Sequence, residues 1–353
     1  MTLKFHISLL LLTKFLFAQI NPCQSTVEGW DFQKAFSIEN HEDNSSLEDF
    51  QVLIELDTET LINHGDMNAD GSDIRISGLC DNSNPLDFWF DDINTTSTKI
   101  WVKVPNIEPG DSENIYLHYG NLNANSEANG SNVFLFFDDF EEPLNGWTFQ
   151  GGTWENFQFL GENVLKATDL TTGSGYAALL NTTLAVSDYI VEVEYAAGVD
   201  GAMGGPMFEH NDFNNLNSYH LMTGMDVTMI STITNGSPNY SQQQPFPSVP
   251  NQWYDWKIIR NGSANTVDIY LDNIFQNSNP TVFSDGIGVW CYGRENSVYY
   301  DNIFVRKLSQ TEPTVTELII NDAVDPITSL DIDGESGWQL FSSPVEGAIL
   351  SDL

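Results

Sequence analysis

The sequence predicts an all-β protein built from two consecutive antiparallel β-sandwiches of jelly-roll type, on three observations. Apolar and polar residues alternate over short runs, as in half-buried strands. Gly, Asn, Asp and Pro punctuate those runs at close intervals. No stretch sustains a 3.6-residue period over helical length. The chain is organised around Asn132–Trp154, NVFLFFDDFEEPLNGWTFQGGTW, where an apolar run ends in Asp138, Asp139, Glu141 and Glu142. Ser297–Lys307, SVYYDNIFVRK, has the apolar positions to pair with FFDDF and close a sandwich.

At the N-terminus, Lys4 precedes the apolar runs Ile7–Leu12 and Phe15–Phe17, and Ala18 is a small residue at the expected cut. Residues 1–18 therefore read as a secretory signal peptide, and Lys14 makes the run too short to span a bilayer. The mature chain is expected to be secreted or on the cell surface, with no membrane insertion.

Twelve basic against fifty acidic residues give a net charge of −38. That balance excludes nucleic acid and anionic membrane surfaces as partners, because both repel it. The three cysteines, Cys23, Cys80 and Cys291, have no metal-site spacing. A Cys23–Cys80 bridge fits inside the first domain and leaves Cys291 as a core thiol.

Residues 24–137 read as the first sandwich. Phe50, Val52, Ile54 and Leu56 share one face of FQVLIELD. Ile100, Val102 and Val104 alternate with Lys99, Trp101 and Lys103, and Ile115, Leu117 and Tyr119 line NIYLHY. The segments GWDFQKAFSIEN, DGSDIRIS, LDFWFDD and KIWVKVPNIEPGDSENIYLHYGN resemble, in this order, the family called domain of unknown function 2341, over roughly residues 29–140. That resemblance implies a β-sandwich module of extracellular proteins and no catalytic residues.

Asp66, Asn68, Asp70 and Gly71 match the opening of a calcium loop, with oxygen ligands at positions 1, 3 and 5 and a turn glycine at 6. Ser77 stands where that loop needs a bidentate glutamate, so an Asx-rich turn is the other reading.

Residues 138–308 continue the pattern through YIVEVEY (Tyr189–Tyr195), WYDWKIIR (Trp253–Arg260), TVDIYL (Thr266–Leu271) and DGIGVWCY (Asp285–Tyr292). With DDFEEPLNGWTFQGGTW and VYYDNIFVRK, these segments resemble the concanavalin A-like lectin and glucanase superfamily, in its laminin-G-like branch. The resemblance implies glycan recognition on a concave sheet or at loop ends, often with structural calcium. Glucanases of that superfamily carry three carboxylates as E-x-D-x-x-E on one strand. Here Glu192-Val-Glu194 has no third, so the carboxylate suspects of an enzyme are Glu192, Glu194 and Glu209.

Sugar binding requires aromatic faces beside polar groups. Tyr219, His220, Trp290, Tyr292 and Arg294 are the candidates, with Glu209 and His210 after them, while Trp147, Trp154, Trp253 and Trp256 are assigned to the core or strand edges. Asp139 or Glu141 near the first strand of this domain and Asp301 on its last are hard oxygen donors brought together if those strands pair. They form either a calcium clamp or the polar faces of edge strands.

No His/Cys cluster, phosphate loop or nucleophile elbow occurs. Residues 309–334 read as a Thr/Pro/Asp-rich linker, and 335–353 as the start of a further module. The leading expectation is a non-catalytic glycan-binding or adhesion protein with a polysaccharide or surface glycan as partner. The alternatives are a glycoside hydrolase acting on an extracellular polysaccharide and a structural spacer.

Overall fold

In a computed structural model, residues 29–42, 44–168, 175–180, 184, 186–198, 202–210, 218–224, 227–234, 237–245, 249–281, 286–292 and 297–318 are described. They all belong to one compact unit, Ser25–Leu318.

Alternation sets the first sandwich. Its strands are β1 (Phe32–Glu39), β2 (Leu47–Leu56), β3 (Arg75–Ser77), β4 (Phe88–Asp91), β5 (Thr98–Ile107) and β6 (Ser112–Tyr119). Apart from Trp101 on the opposite face, every apolar position named above on β2, β5 and β6 is buried in one cluster with Phe36, Ile38, Ile74, Ile76 and Phe88. Strands β2, β5 and β4 form one sheet, in the order β2-β5-β4, and β1, β6 and β3 belong to the other.

One short helix, α1 (Thr58–His64), follows β2. Asp57 caps it, accepting from the Thr60 N–H at 2.9 Å, and Gly65 ends it in the left-handed region at φ 80°. Sequence periodicity misses a helix of two turns, although both caps are present in DTETLINHG. A second turn, α2 (Gly130–Val133), takes only the first residue of the apolar run Val133–Phe137, whose last two residues are strand as the run predicts.

The second sandwich opens with β7 (Phe136–Asp138), β8 (Trp147–Gln150), β9 (Thr153–Phe159), β10 (Glu162–Thr168), β11 (Gly175–Leu180) and β12 (Asp188–Ala197). It continues with β13 (Met203–His210), β14 (Ser218–Gly224), β15 (Val227–Thr234), β16 (Ser237–Pro245) and β17 (Trp253–Asn261). It closes with β18 (Thr266–Leu271), β19 (Ile274–Pro280), β20 (Gly286–Tyr292) and β21 (Ser297–Lys307). An eight-stranded sheet runs β19-β18-β17-β12-β21-β10-β9, with β7 also on β21, and faces a seven-stranded sheet ordered β16-β15-β14-β13-β20-β11-β8.

The expected pairing of FFDDF with the closing strand is present, in the register Phe136↔Val305, Phe137↔Phe304, Asp138↔Ile303. Between the sheets, Tyr195, Trp256 and Tyr300 are buried with Val191, Val193, Val267 and Ile269. The Tyr300 hydroxyl accepts from the Gly205 N–H at 2.8 Å and donates to the Trp290 carbonyl. A Cβ at Gly204 would lie 2.5 Å from that hydroxyl, so the close approach of the sheets requires glycine there.

The last described strand, β22 (Thr314–Leu318), pairs with β1 of the first sandwich from Ala35↔Leu318 to Glu39↔Thr314. Residues expected to be linker are thus the edge strand of the sheet β22-β1-β6-β3. Val315 packs against the first core and Lys34 Nζ meets Glu317 at 2.6 Å. Charged and Thr-rich composition hid this strand, because an edge strand buries little of either face.

Cys80 is disulfide-bonded, Cys291 is a buried thiol, and Cys23 lies outside the described residues. No helix among the described residues is long and apolar enough to cross a membrane.

Candidate functional site

The eight-stranded sheet turns one set of side chains to the core and the other outward, and the first sandwich docks on part of that outer face. Trp89 of β4 and Trp101 of β5 meet Phe137 of β7 and Phe304 of β21, with Val133 and Phe134 of the connecting turn between them. Phe134 stacks on Phe304 at 4.3 Å between centroids, and Trp101 meets Phe304 edge-on at 5.7 Å. The Arg306 guanidinium lies 5.0 Å from the Trp101 ring centroid.

Beside this aromatic wedge lies a row of carboxylates. Glu194 of β12 is in register with Asp255 of β17 on one side and Asp301 of β21 on the other. All three point outward, because Tyr195, Trp256 and Tyr300 beside them point to the core. From the first sandwich come Asp91 and Lys99, a cross-strand pair of β4 and β5. Lys99 Nζ lies 3.6 Å from Asp255, and the Asn302 side-chain amide donates to Asp91 at 3.3 Å and to Glu194 at 3.4 Å.

Asn302 reaches this position because the β12–β21 register shifts between Glu192 and Glu194. At this bulge Asn302 adopts φ 45°, which asparagine tolerates better than most residues.

Burial governs the charges. It pushes the Asp301 carboxyl up to about 8 against the hydrogen bond from the Asn302 N–H, with Glu162, Asp91 and Asp139 repelling it further. Burial also holds Glu194 well above the usual carboxylate range, and Asp91, Asp255, Asp301 and Asp92 add to this. Asp91 rises to about 6 through burial and the Asp92 charge, against the pull of Lys99. Burial disfavours the Lys99 ammonium, but Asp255, Asp91, Glu194 and Glu192 outweigh it and raise its pKa. At neutral pH the fold thus keeps Asp301 largely protonated.

Along the strands from this row lies an aromatic strip. Tyr299 stacks on Phe159 at 3.9 Å and on Phe157 at 6.0 Å, and Trp253 meets Phe159 edge-on at 5.6 Å. Phe157 is 36% exposed, and Lys166 Nζ sits 4.1 Å from its ring centroid while pairing with Glu155 at 3.1 Å. Phe157 is the open ring of this strip, Phe159 and Tyr299 being buried beneath it; an open ring beside donors and acceptors offers a sugar a face for its C–H groups and partners for its hydroxyls.

Of the carboxylates suspected from sequence, Glu194 lies in the row. Glu192 is on the same face but accepts from Arg306 Nε at 3.0 Å, and Glu312 takes the other side of that guanidinium at 3.0 Å. Glu209 and His210 lie on β13, Tyr219 and His220 on β14, and Tyr292 on β20; their side chains, and Arg294 entirely, are outside the described residues. Trp290 is buried at 5% exposure.

Asp139 follows β7 and its charge bears on Asp301, while Glu141 bonds to Asn163. Asp138 is structural, accepting from Trp147 Nε1 at 2.7 Å and the Phe140 N–H at 2.9 Å. In the Asp66–Gly71 loop, Asp70 accepts from the Ser72 N–H at 3.1 Å, and the Asn68 N–H donates to Asp73 at 3.0 Å. Those bonds make it an Asx-type turn. Among the described residues, no group of three or more His, Cys, Asp or Glu is arranged to hold a metal ion.

Sequence reasoning missed Asp91, Lys99, Asp255 and Asn302, and the strip Phe157, Phe159, Trp253 and Tyr299. A signal existed: Trp253-x-Asp255 and Tyr299-x-Asp301 repeat an aromatic and an acid on the outward face of two strands.

The model of the family described as "Domain of unknown function (DUF2341)" matches residues 70–156, running from the first sandwich past the junction into β9. No curated protein matches the chain. Among solved structures, a carbohydrate-binding module, CBM66 from Bacillus subtilis, is similar at 20% identity and TM-score 0.38, over 46% of this chain and 96% of its own. The carbohydrate recognition domain of Emp46p in its metal-free form is similar at 15% identity and TM-score 0.38, over 48% and 91%. The apo Crh5 transglycosylase is similar at 12% identity and TM-score 0.36, over 50% and 86%. With TM-scores below 0.5, function rests on the residues of this chain.

Proposed function

We propose that this chain is a secreted or cell-surface glycan-binding protein that does not cleave its ligand, and that its second sandwich is a lectin-like jelly roll of the concanavalin A-like type. The carrying observation is the strip Phe157–Phe159–Tyr299–Trp253 on the outer face of the eight-stranded sheet, rimmed by Lys166, Glu155 and Asp255. The ring of Phe157 stacks against a pyranose face, while the ammonium and carboxylates bond its hydroxyls.

A hydrolase reading has one observation in its favour. Burial pushes the Glu194 carboxyl well above the usual carboxylate range, the direction a general acid requires. Against it, Glu194 is bonded to Asn302 and covered by the charges of Asp91 and Lys99.

The test is affinity electrophoresis of the full chain in gels containing laminarin, xylan or alginate, with calcium and with chelator, alongside a reducing-end assay. The full chain is required, since isolating residues 138–308 would remove Phe136 and Phe137 of β7 and expose Phe304. Retardation without released sugar is expected, and Phe157→Ala with Trp253→Ala should weaken it about 10-fold or more. Retardation unchanged in that double variant would overturn the strip as the site. Released oligosaccharide that disappears in Glu194→Gln would establish the hydrolase.

A further inference from the structure

The outer face of the eight-stranded sheet carries a second concavity, on the far side of the wedge from the aromatic strip. It is a cleft of about 600 Å³ between β12, β17 and β18 and the segment leaving β21 towards β22. That volume falls within the range of small-molecule sites. Ile190 and Ile259, in register on β12 and β17, form its floor. Lys257, Asp268, Asn261 and Gln310 stand around them.

These polar groups have unused hydrogen-bonding capacity. Lys257 donates to Asn273 Oδ1 at 2.9 Å and lies 5.1 Å from the Tyr270 ring centroid, and it has no ion pair among the described residues of a chain with charge −38. Asp268 and Gln310 make no side-chain hydrogen bond among the described residues. Asn261 accepts from the Ala264 N–H at 2.7 Å and keeps its NH2 group for another partner. In the β17–β18 register Lys257 opposes Tyr270 and Ile259 opposes Asp268, so Lys257 and Asp268 are diagonal neighbours. Such neighbours sit about 7–8 Å apart along the backbone, and with no ion pair between these two side chains among the described residues, ligand groups can bridge them.

We infer that this cleft is a second sugar subsite, taking a neutral, hydroxyl-rich ring. Each ligand hydroxyl both donates and accepts, which matches an ammonium and an amide on one side and a lone carboxylate on the other. An apolar floor suits the C–H face of the ring. A simple anion would meet Asp268 and Glu312, and a simple cation Lys257 and Arg306, so the cleft selects neither. This inference rests on the glycan-binding reading and extends it to two sites. Trp253 and Ile259 are six residues apart on β17, which separates strip and cleft by about 20 Å. The Lys99–Asp255 contact lies between them, so the two sites fill independently and give the chain bivalent attachment to one polysaccharide.

The test is calorimetric titration of the full chain with laminarihexaose and with xylohexaose, in wild type and two double variants. Asp268→Ala with Gln310→Ala removes the cleft's free groups, and Phe157→Ala with Trp253→Ala removes the strip. Unchanged melting of each variant establishes folding. Two sites are expected in wild type and one in each variant, with Lys257 protected from acylation by an N-hydroxysuccinimide ester only while the cleft is intact. A wild-type stoichiometry of one that the cleft variant leaves unchanged would overturn the second site and leave the strip standing. A stoichiometry of one lost in the cleft variant and kept in the strip variant would uphold the cleft and overturn the strip. No heat with either sugar, together with no Lys257 protection, would overturn both.

Discussion

Glu194 and Asp301 stand side by side on adjacent strands, two carboxylates in direct register on the covered face of a sheet. Like charges so placed repel, and burial raises the cost of each. Three features offset this: protonation, the Asn302 amide bonded to Glu194 and Asp91, and the Lys99 ammonium drawn over the row by Asp255. The junction of the two sandwiches is therefore both an aromatic contact and an acid store.

A pH dependence follows. The Asp301 carboxyl titrates at about 8 in the fold, far above the ordinary carboxylate value near 4, so the native state binds more protons than the unfolded chain between those values. Its stabilising contribution is complete below pH 4 and is lost as pH rises through 8. The melting temperature should fall from pH 5 to pH 9, and Asp301→Asn should flatten that fall. A slope unchanged by the substitution, followed by circular dichroism, would contradict the assignment.

The wedge predicts cooperativity between the sandwiches. Phe304 touches Trp89, Trp101 and Phe134 at centroid distances of 6.1, 5.7 and 4.3 Å. Phe304→Ala should cost about 3–5 kcal/mol and split one calorimetric transition into two. A single transition that merely moves would show that the sandwiches unfold together for another reason.

Much of the fold was legible because burial on one face writes a period of two. FQVLIELD, KIWVKV, NIYLHY and YIVEVEY each place on the core the residues their alternation selects. Elements that bury little left weaker traces: α1 shows only its caps, and β22 has an edge strand's composition. The site was harder to read, because register across strands far apart in sequence creates it. Asp255, Glu194 and Asp301 become neighbours only when β12 lies between β17 and β21. Exposure is equally invisible in a strand, since Trp290 and Phe157 carry the same alternation signal and one is buried while the other is open.

Strand β22 returns to the first sandwich after the whole second sandwich has been inserted, which makes the first dependent on residues past position 308. Ending the chain after Leu308 removes β22, the Lys34–Glu317 pair and the Arg306–Glu312 pair. Hydrogen exchange on β1 should then accelerate at Ala35–Glu39 while β12 and β17 keep their protection. Equal protection of β1 in both chains would mean that β22 adds nothing to the sheet.

Asn302 has two roles that substitution separates. Its backbone takes φ 45° at the bulge, and its amide joins Asp91 of one sandwich to Glu194 of the other. Asn302→Gly keeps the backbone freedom and loses the amide, so it should cost about 1–3 kcal/mol, the range for orphaning buried acceptors. Asn302→Ala adds the left-handed strain of an L-residue, about 1–2 kcal/mol more. In Asp91→Ala the amide has lost one acceptor, so the added cost of Asn302→Gly should shrink in the double variant. Additive costs in that cycle, from urea melts, would show that the amide does not couple the sandwiches and leave the backbone as the only reason for asparagine at this bulge.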